Sequence, residues 1–285
     1  MHRRQTFRIP LASGQVLTLG DRTLVMAIVN ITPDSFSDGG ARLDPDVAIA
    51  DALRMVEEGA DILDLGGEST RPGAALLPAD EEWRRVGPVL EGLRGRVSVP
   101  ISIDTYKAEI AARALDAGAT IVNDVTAFAA DPAMAGVVVS RGAAAVLMHH
   151  RGRSETMYDR AVYADVVAEV RTELAARLAV AEQAGVARDR LIVDPGFGFA
   201  KRATQSMEAL AGLPALAALG VPILSGPSRK SFLQLALGER PPAERVWGTA
   251  AAVAASIWLG AHIVRVHDVR AMVDVVRVTD ALVYF

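Results

Sequence analysis

A short unit recurs along this chain: a helix-like segment, one glycine, then a run of apolar residues. It occurs at Gly59 in "EEGADILDL", Gly118 in "DAGATIVND", Gly142 in "SRGAAAVLMH", Gly220 in "ALGVPILSG" and Gly260 in "LGAHIVRVH". Glycine just past a helix can take the left-handed conformation that closes the last turn. The apolar runs are continuous rather than alternating. Strands buried on both faces have that pattern, as in a parallel sheet covered by helices. Three more runs, "LVMAIVN", "VPISID" and "RLIVDPG", bring the predicted strands to eight.

Helical stretches lie between them. "LDPDVAIADALRMVEEG" offers Asp44 as an N-cap and Pro45 at the first helical position. "ADPAMAGVVVSRG" repeats the Asp-Pro start at Asp131. Val162, Val166, Val170, Leu174 and Leu178 fall at fourfold spacing, one helical stripe. Eight strands alternating with helices mean an α/β fold, either a closed (β/α)8 barrel or an open doubly wound sheet. The strand ends recur about every 34 residues, close to the roughly 31 of a 250-residue barrel. No GxGxxG follows the first strand, which argues against a dinucleotide-binding sheet. The expectation is a single (β/α)8 TIM barrel over residues 24–285. Residues 1–23 form an N-terminal extension, with "FRIPLASGQVLTLG" as a hairpin capping one end.

With 285 residues, 51% hydrophobic and 22% charged, the chain can bury one large core. A net charge of −4 argues against a nucleic-acid partner, which needs a clustered positive field. There is no cysteine. That removes disulfides, thiolate catalysis and cysteine zinc sites, and fits a reducing cytoplasm. The basic start "MHRRQTFRIP" is not followed by the apolar core of a signal peptide. The most apolar stretch, residues 248–264, is too short for a membrane span and reads as a buried helix running into a strand.

Active sites of such barrels lie at the C-terminal ends of the strands. Those ends carry Asn30, Asp64, Asp104, Asn123, His149, Asp194, Ser225, and Arg265 with His267. A single Asp or Asn there often only caps the next helix. Polar groups on all eight strands describe a ring of hydrogen-bonding side chains around the mouth. Asp104, Asn123 and Asp194 suit a flat heterocycle rich in ring N–H and amino groups. "SRKSF" (228–232) and "RVH" (265–267) lie in the loops after strands seven and eight, the usual phosphate site of this fold. "GESTRPGA" (67–74) adds Arg71. The adjacent His149 and His150 point to opposite faces if both lie on a strand, so they do not easily share one ion. An oxygen-ligated Mg2+ between Asn30 and a phosphate suits the residue types better. The polar stretch "NITPDSFSDGG" (30–40) after the first strand reads as a lid hinged at Gly39-Gly40.

From about residue 24 onward the stretches "NITPDSFSDGG", "DLGGESTRPGA", "ISIDTYKAEIAARAL", "IVNDV", "VLMHHRG", "LIVDPGFGFAK", "PILSGPSRKSF" and "GTAAAVAASIWLGAHIVRVHDV" follow one another in order. In this the chain resembles the dihydropteroate synthase family, folate-pathway transferases inhibited by sulfonamides. The resemblance implies a (β/α)8 barrel, usually a homodimer. It also implies that p-aminobenzoate is joined to 6-hydroxymethyl-7,8-dihydropterin diphosphate, with release of pyrophosphate. Carried over by position, Asp104, Asn123, Asp194 and Lys230 match the pterin-binding residues. Asn30, Arg71, Arg265 and His267 match the diphosphate set, with Asn30 as the Mg2+ ligand. Phe36, Thr70, Pro72, Phe199 and Ser231 match the p-aminobenzoate pocket. Asp38, Lys230 and Arg265 match the residues of the catalytic step. "NDVTAF" departs from the commoner Ser-Gly after "NDV", His150 stands where Met is frequent, and Ala200 where Gly is frequent.

Three rivals share parts of this pattern. A pterin-binding methyltransferase that serves a corrinoid has no use for the anion-binding "SRKSF" and "RVH" set or the long first loop. A catalytically silent paralogue would lose Asn30, Asp38, Lys230 or Arg265, and all four are present. A sugar-phosphate barrel enzyme gives no reason for the internal Asp, Asn, Asp set.

Overall fold

Each of the five expected glycines takes a positive φ: Gly59 at 104°, Gly118 at 115°, Gly142 at 59°, Gly220 at 65° and Gly260 at 103°. The computed structural model describes residues 4–32, 44–69, 76–152 and 156–284. After each of these glycines the chain enters a strand of one parallel sheet. Among the described residues the strands are β3 (Leu24–Asn30), β4 (Ile62–Gly66), β5 (Ile101–Asp104), β6 (Ile121–Asp124), β7 (Ala144–Met148), β8 (Leu191–Asp194), β9 (Leu224–Ser225) and β10 (Ile263–Val266). Their order is β8-β7-β6-β5-β4-β3-β10-β9. A parallel bridge between Val193 and Ile223 brings β9 back to β8 and closes the barrel.

The connecting helices are α1 (Pro45–Glu57), α2 (Ala79–Leu93), α3 (Ala108–Asp116), α4 (Met134–Arg141), α5 (Val166–Gln183), α6 (Ala203–Ala211), α7 (Gln234–Leu237), α8 (Val246–Trp258) and α9 (Val269–Tyr284). Asp44 caps α1, accepting from the Asp46 N–H, with Pro45 at the first position as expected. Asp131 behaves differently. It accepts from the backbone of Ala108 and Ala133, while α4 begins only at Met134. It therefore ties the preceding turn to the start of α3 instead of capping α4. On α5 the stripe Val166, Val170, Leu174 and Leu178 is buried. Val162 lies before the helix and is exposed, because Asp165 caps α5 and starts it later.

Two apolar clusters result. One joins the outer faces of the strands to the helices. The other fills the barrel from within: Leu24, Met26, Ile62, Ile121, Ile192 and Ile263 meet Ile9, Leu11 and Leu19. Those last three belong to or flank the antiparallel hairpin of β1 (Phe7–Pro10) and β2 (Val16–Leu19). The hairpin thus plugs the N-terminal end of the barrel. Each fully buried side chain of this kind contributes about 1.5–3 kcal/mol. Arg190 and His262 hold the plug by bonds to the Pro10 and Gln5 carbonyls. The opposite end of the barrel is left to polar groups.

Candidate active site

Strand parity decides which polar side chains reach the mouth, because residues two apart on a strand share a face. Asn30, Asp64, Asn123, Asp194 and Arg265 lie an even number of residues beyond the interior residues Met26, Ile62, Ile121, Ile192 and Ile263. They therefore point inward above that core. Asp104 joins them, sharing its rung with Gly66 on one side and Asn123 on the other. Parity also removes two members of the expected ring. His149 points outward and pairs with Glu173 of α5. Ser225 donates to Ser256 of α8.

The innermost layer is a charged cluster. Arg265 donates from Nε to Asp64 Oδ2 and from Nη2 to Asp104 Oδ2, each at 2.6 Å. Asn123 Nδ2 donates to the same Asp64 oxygen at 2.9 Å. Asp64 is fully buried, whereas Arg265 is 20% exposed, so a ligand can reach the guanidinium. Asp64 Oδ1 and Asp104 Oδ1 are buried without a hydrogen-bond partner among the described residues. An acceptor left so costs about 1–3 kcal/mol, and a ligand that brings N–H donors removes that cost. Burial pushes the Asp104 carboxyl up to about 7; Arg265 opposes this and Asp64 reinforces it. Burial works against the Arg265 charge, but Asp64 and Asp104 outweigh it and hold the guanidinium above its ordinary value.

Beside this cluster, Asp194 accepts from the Gly196 N–H at 2.7 Å, and burial raises its carboxyl against that bond and Lys230. Lys230 Nζ lies 4.1 Å from the centre of the Phe199 ring, within cation–π range. Burial lowers its ammonium to about 8, opposed by Asp194. Phe199 is half-buried, with the His150 ring 5.9 Å away. Ser231 is exposed at the start of a short 3-10 turn, Ser231–Leu233.

The anion side is set by Ser228 and His267. The His267 backbone N–H donates to Ser228 Oγ at 3.1 Å, and that hydroxyl lies 2.9 Å from His267 Nδ1. The hydroxyl proton then goes to Nδ1, which leaves Nε2–H as the donor. Burial, helped by Arg229 and Arg265, depresses His267 to about 3. It is therefore a neutral donor near pH 7. Arg229 is engaged by Asp268 through Nε and Nη2, so of the two adjacent cations only Lys230 meets Phe199. Asn30 ends β3, half-buried. Phe36, Asp38, Thr70, Arg71, Pro72 and the expected lid lie outside the described residues.

Two residues acquire parts that their sequence context does not announce. Asp64 is the hub that holds both Arg265 and Asn123. Its inward parity, shared with Asp104 and Asn123, was the available signal. Lys201 is 1% exposed and bonds beneath the turn that carries Phe199. A lysine in a loop carries no sequence sign of such burial.

Among known proteins, the pterin binding enzyme family matches residues 26–267. The dihydropteroate synthase of Synechocystis sp. is 47% identical over 277 residues, covering 97% of this chain and 96% of that protein. The synthase of Mycobacterium leprae is 49% identical over 263 residues, covering 90% and 92%. The structure of Xanthomonas albilineans dihydropteroate synthase with 4-aminobenzoic acid has a TM-score of 0.91 and 46% identity, covering 98% of each chain. The Xanthomonas albilineans synthase in complex with 7,8-dihydropteroate gives a TM-score of 0.87 at 44% identity, covering 96% of this chain and 98% of that one. By family match, identity and fold together, this chain belongs to the dihydropteroate synthase family of pterin binding enzymes.

Proposed function

We propose that the chain condenses p-aminobenzoate with 6-hydroxymethyl-7,8-dihydropterin diphosphate to give 7,8-dihydropteroate and pyrophosphate. The observation that carries this reading is the inward set Asp104, Asn123 and Asp194, with Asp104 Oδ1 buried and unpartnered among the described residues. A pterin edge supplies the ring N–H and amino donors that such a set lacks.

The pterin lies against these three groups, with Lys230 at its side. The bond from the exocyclic methylene carbon to the diphosphate oxygen breaks, and the amine nitrogen forms the new bond to that carbon. The substitution is largely dissociative, because the cation on the methylene is delocalised into the pterin ring. Arg265 and the Nε2–H of neutral His267 stabilise charge that develops on the departing diphosphate, with Arg71 assigned to the same set. Such preorganised donors are usually the largest catalytic contribution. Phe199 and Ser231, with Phe36, Thr70 and Pro72, are assigned to the p-aminobenzoate side. Asp38 stabilises the cation or takes the aniline proton. Positioning matters more than activation for so weakly basic an amine.

The donor set fits magnesium arriving with the diphosphate. Among the described residues no three His, Asp or Glu side chains gather into a cage, and Asn30 offers one amide oxygen at the rim. Mg2+ commonly keeps several waters and takes the rest from one or two protein oxygens and from phosphate. When bound, it neutralises charge on the leaving group.

Two further parts belong to this reading. The partner is a second copy of the chain, joined through α8 and α9. Trp247 and Trp258 of α8 are eleven residues apart, three turns along one face, and are 79% and 51% exposed. α8 has no charged residue, and Val278 and Leu282 extend the exposed apolar surface along α9. Sedimentation should show a dimer that Trp247→Glu dissociates. The compartment assigned is the cytoplasm, in keeping with a sequence that has no cysteine. No helix among the described residues is long and apolar enough to cross a membrane.

The direct test is incubation with the pterin diphosphate, p-aminobenzoate and Mg2+, following dihydropteroate by chromatography. Product with the chain and none with Arg265→Ala is expected. No product, where a control synthase gives it, rejects the reaction.

A further inference from the structure

Gly196, Gly198 and Ala200 all take positive φ, at 66°, 77° and 48°. Three left-handed residues in five make a tight turn, and at Ala200 that conformation goes against local preference. Yet this turn joins Asp194 to Phe199. Its fastener is Lys201. The ammonium has three N–H groups and three neighbours: the Gly196 carbonyl at 3.1 Å, the Phe199 carbonyl at 3.1 Å and His149 Nδ1 at 2.8 Å. His149 Nε2 in turn lies 3.1 Å from Glu173 Oε2, and Arg151 grips the same carboxylate.

The direction of every bond in this chain is fixed from its ends. Glu173 is an acceptor, so His149 Nε2 carries the proton and Nδ1 is left to accept. Lys201 must therefore donate to it, and its other two protons go to the turn. A neutral amine has only two N–H groups, so its formation leaves one of the three bonds unmade. The condensation assigned above does not use Lys201.

Resting on that assignment, we propose that Lys201, aimed by His149 and Glu173, is a positioning residue that fixes the 195–200 turn and so sets Phe199 against Lys230 for the aromatic amine substrate. The charges and titratable groups facing Lys201 are Asp194, Glu173, Arg151 and Lys230, with His149 and His150 beside it. Burial lowers its ammonium to about 7, opposed by Asp194 and Glu173 and assisted by Arg151 and Lys230. The charged form is present below that value and is lost as pH rises through it. Affinity for p-aminobenzoate thus weakens above neutrality.

The test is the KM for p-aminobenzoate from pH 6 to 9, with pterin diphosphate saturating. Wild type should show a rise of about tenfold near pH 7, the worth of one hydrogen bond from a charged donor. Lys201→Met should start from the high KM at pH 6 and show only the change that Lys230 brings near pH 8. Glu173→Gln removes the anion that supports the ammonium and should move the rise to lower pH. Lys230 titrates in both variants, so a difference between them and wild type belongs to Lys201. If Lys201→Met does not fold, Glu173→Gln carries the test alone, since that side chain is 40% exposed. A flat wild-type KM, or a rise left unmoved by Glu173→Gln, overturns the positioning role. Product formed with a flat KM overturns that role alone, and no product at any pH overturns the reaction with it.

Discussion

Arg265 Nε lies 2.6 Å from Asp64 Oδ2, and this contact spans the barrel interior between β10 and β4, two strands separated by β3. The pair is the keystone of the inner layer, since Asn123 hangs from the same oxygen. Removing one partner of a buried ion pair leaves a buried charge uncompensated, at about 3–5 kcal/mol. Asp64→Ala should lower unfolding stability in urea by about that amount, at the lower end because Asp104 still pairs with Arg265. A loss within experimental error of zero would falsify the hub.

Asp104→Asn keeps the shape but gives up a charged acceptor. Affinity for the pterin should fall by about ten- to a hundredfold, as for a lost hydrogen bond to a charged group. Calorimetry with the pterin measures it directly, and parent-like affinity would remove Asp104 from the pterin set.

Ala200 stands at φ 48°, where an L side chain meets strain of about 1–2 kcal/mol that glycine escapes. Part of that gain is offset by the greater freedom of glycine in the unfolded chain. Ala200→Gly should raise stability by roughly 0.5–1 kcal/mol, seen as a small upward shift of Tm. A lower Tm would mean that Lys201 and its neighbours hold the turn without strain.

Gly196 allows no such exchange. A Cβ there would sit 2.2 Å from the His149 carbonyl oxygen, at φ +66°. Gly196→Ala should destabilise by about 3 kcal/mol through overpacking and backbone strain together. It should also raise the KM for p-aminobenzoate at every pH. Wild-type kinetics and Tm in this variant would contradict the close approach.

Four histidines are held neutral by burial: His149, His150 and His262 at about 4, and His267 at about 3. Their folded values lie below the unfolded value of about 6.5. The unfolded chain therefore binds protons first as the medium is acidified. The stability that these histidines contribute is full above pH 6.5 and is lost as pH falls from there toward 4, by about 1.4 kcal/mol per pH unit for each histidine, and the raised carboxyls of Asp104 and Asp194 offset part of that loss. Urea midpoints at pH 7, 6 and 5 should fall in that order. His262→Asn, far from the mouth, should flatten the dependence, and equal midpoints at the three values would contradict it.

Much of this was legible in the sequence because it depends on local periodicity and on backbone chemistry. Continuous apolar runs require strands covered on both sides, and the glycines after the helices mark where each strand begins. Their repetition sets eight strands in order, and the polar residues at the strand ends name the end that holds the site. The resemblance named Asp104, Asn123, Asp194 and Lys230. Asp131 and Val162 show where local signals stop, since a cap forms only where the helix begins, and packing sets that point.

What the tertiary structure alone decided is orientation and burial. Whether His149 and Ser225 face the mouth or the helices depends on strand phase, which the interior packing of Met26, Ile121 and Ile192 fixes. The bridge from Asp64 to Arg265 joins residues 201 positions apart, a distance that no periodicity can read. Lys201 is an ordinary lysine in the sequence. Only the closing of the 195–200 turn over it removes its water and turns it into a fastener, because desolvation and bond direction are properties of the folded neighbourhood and not of the residue.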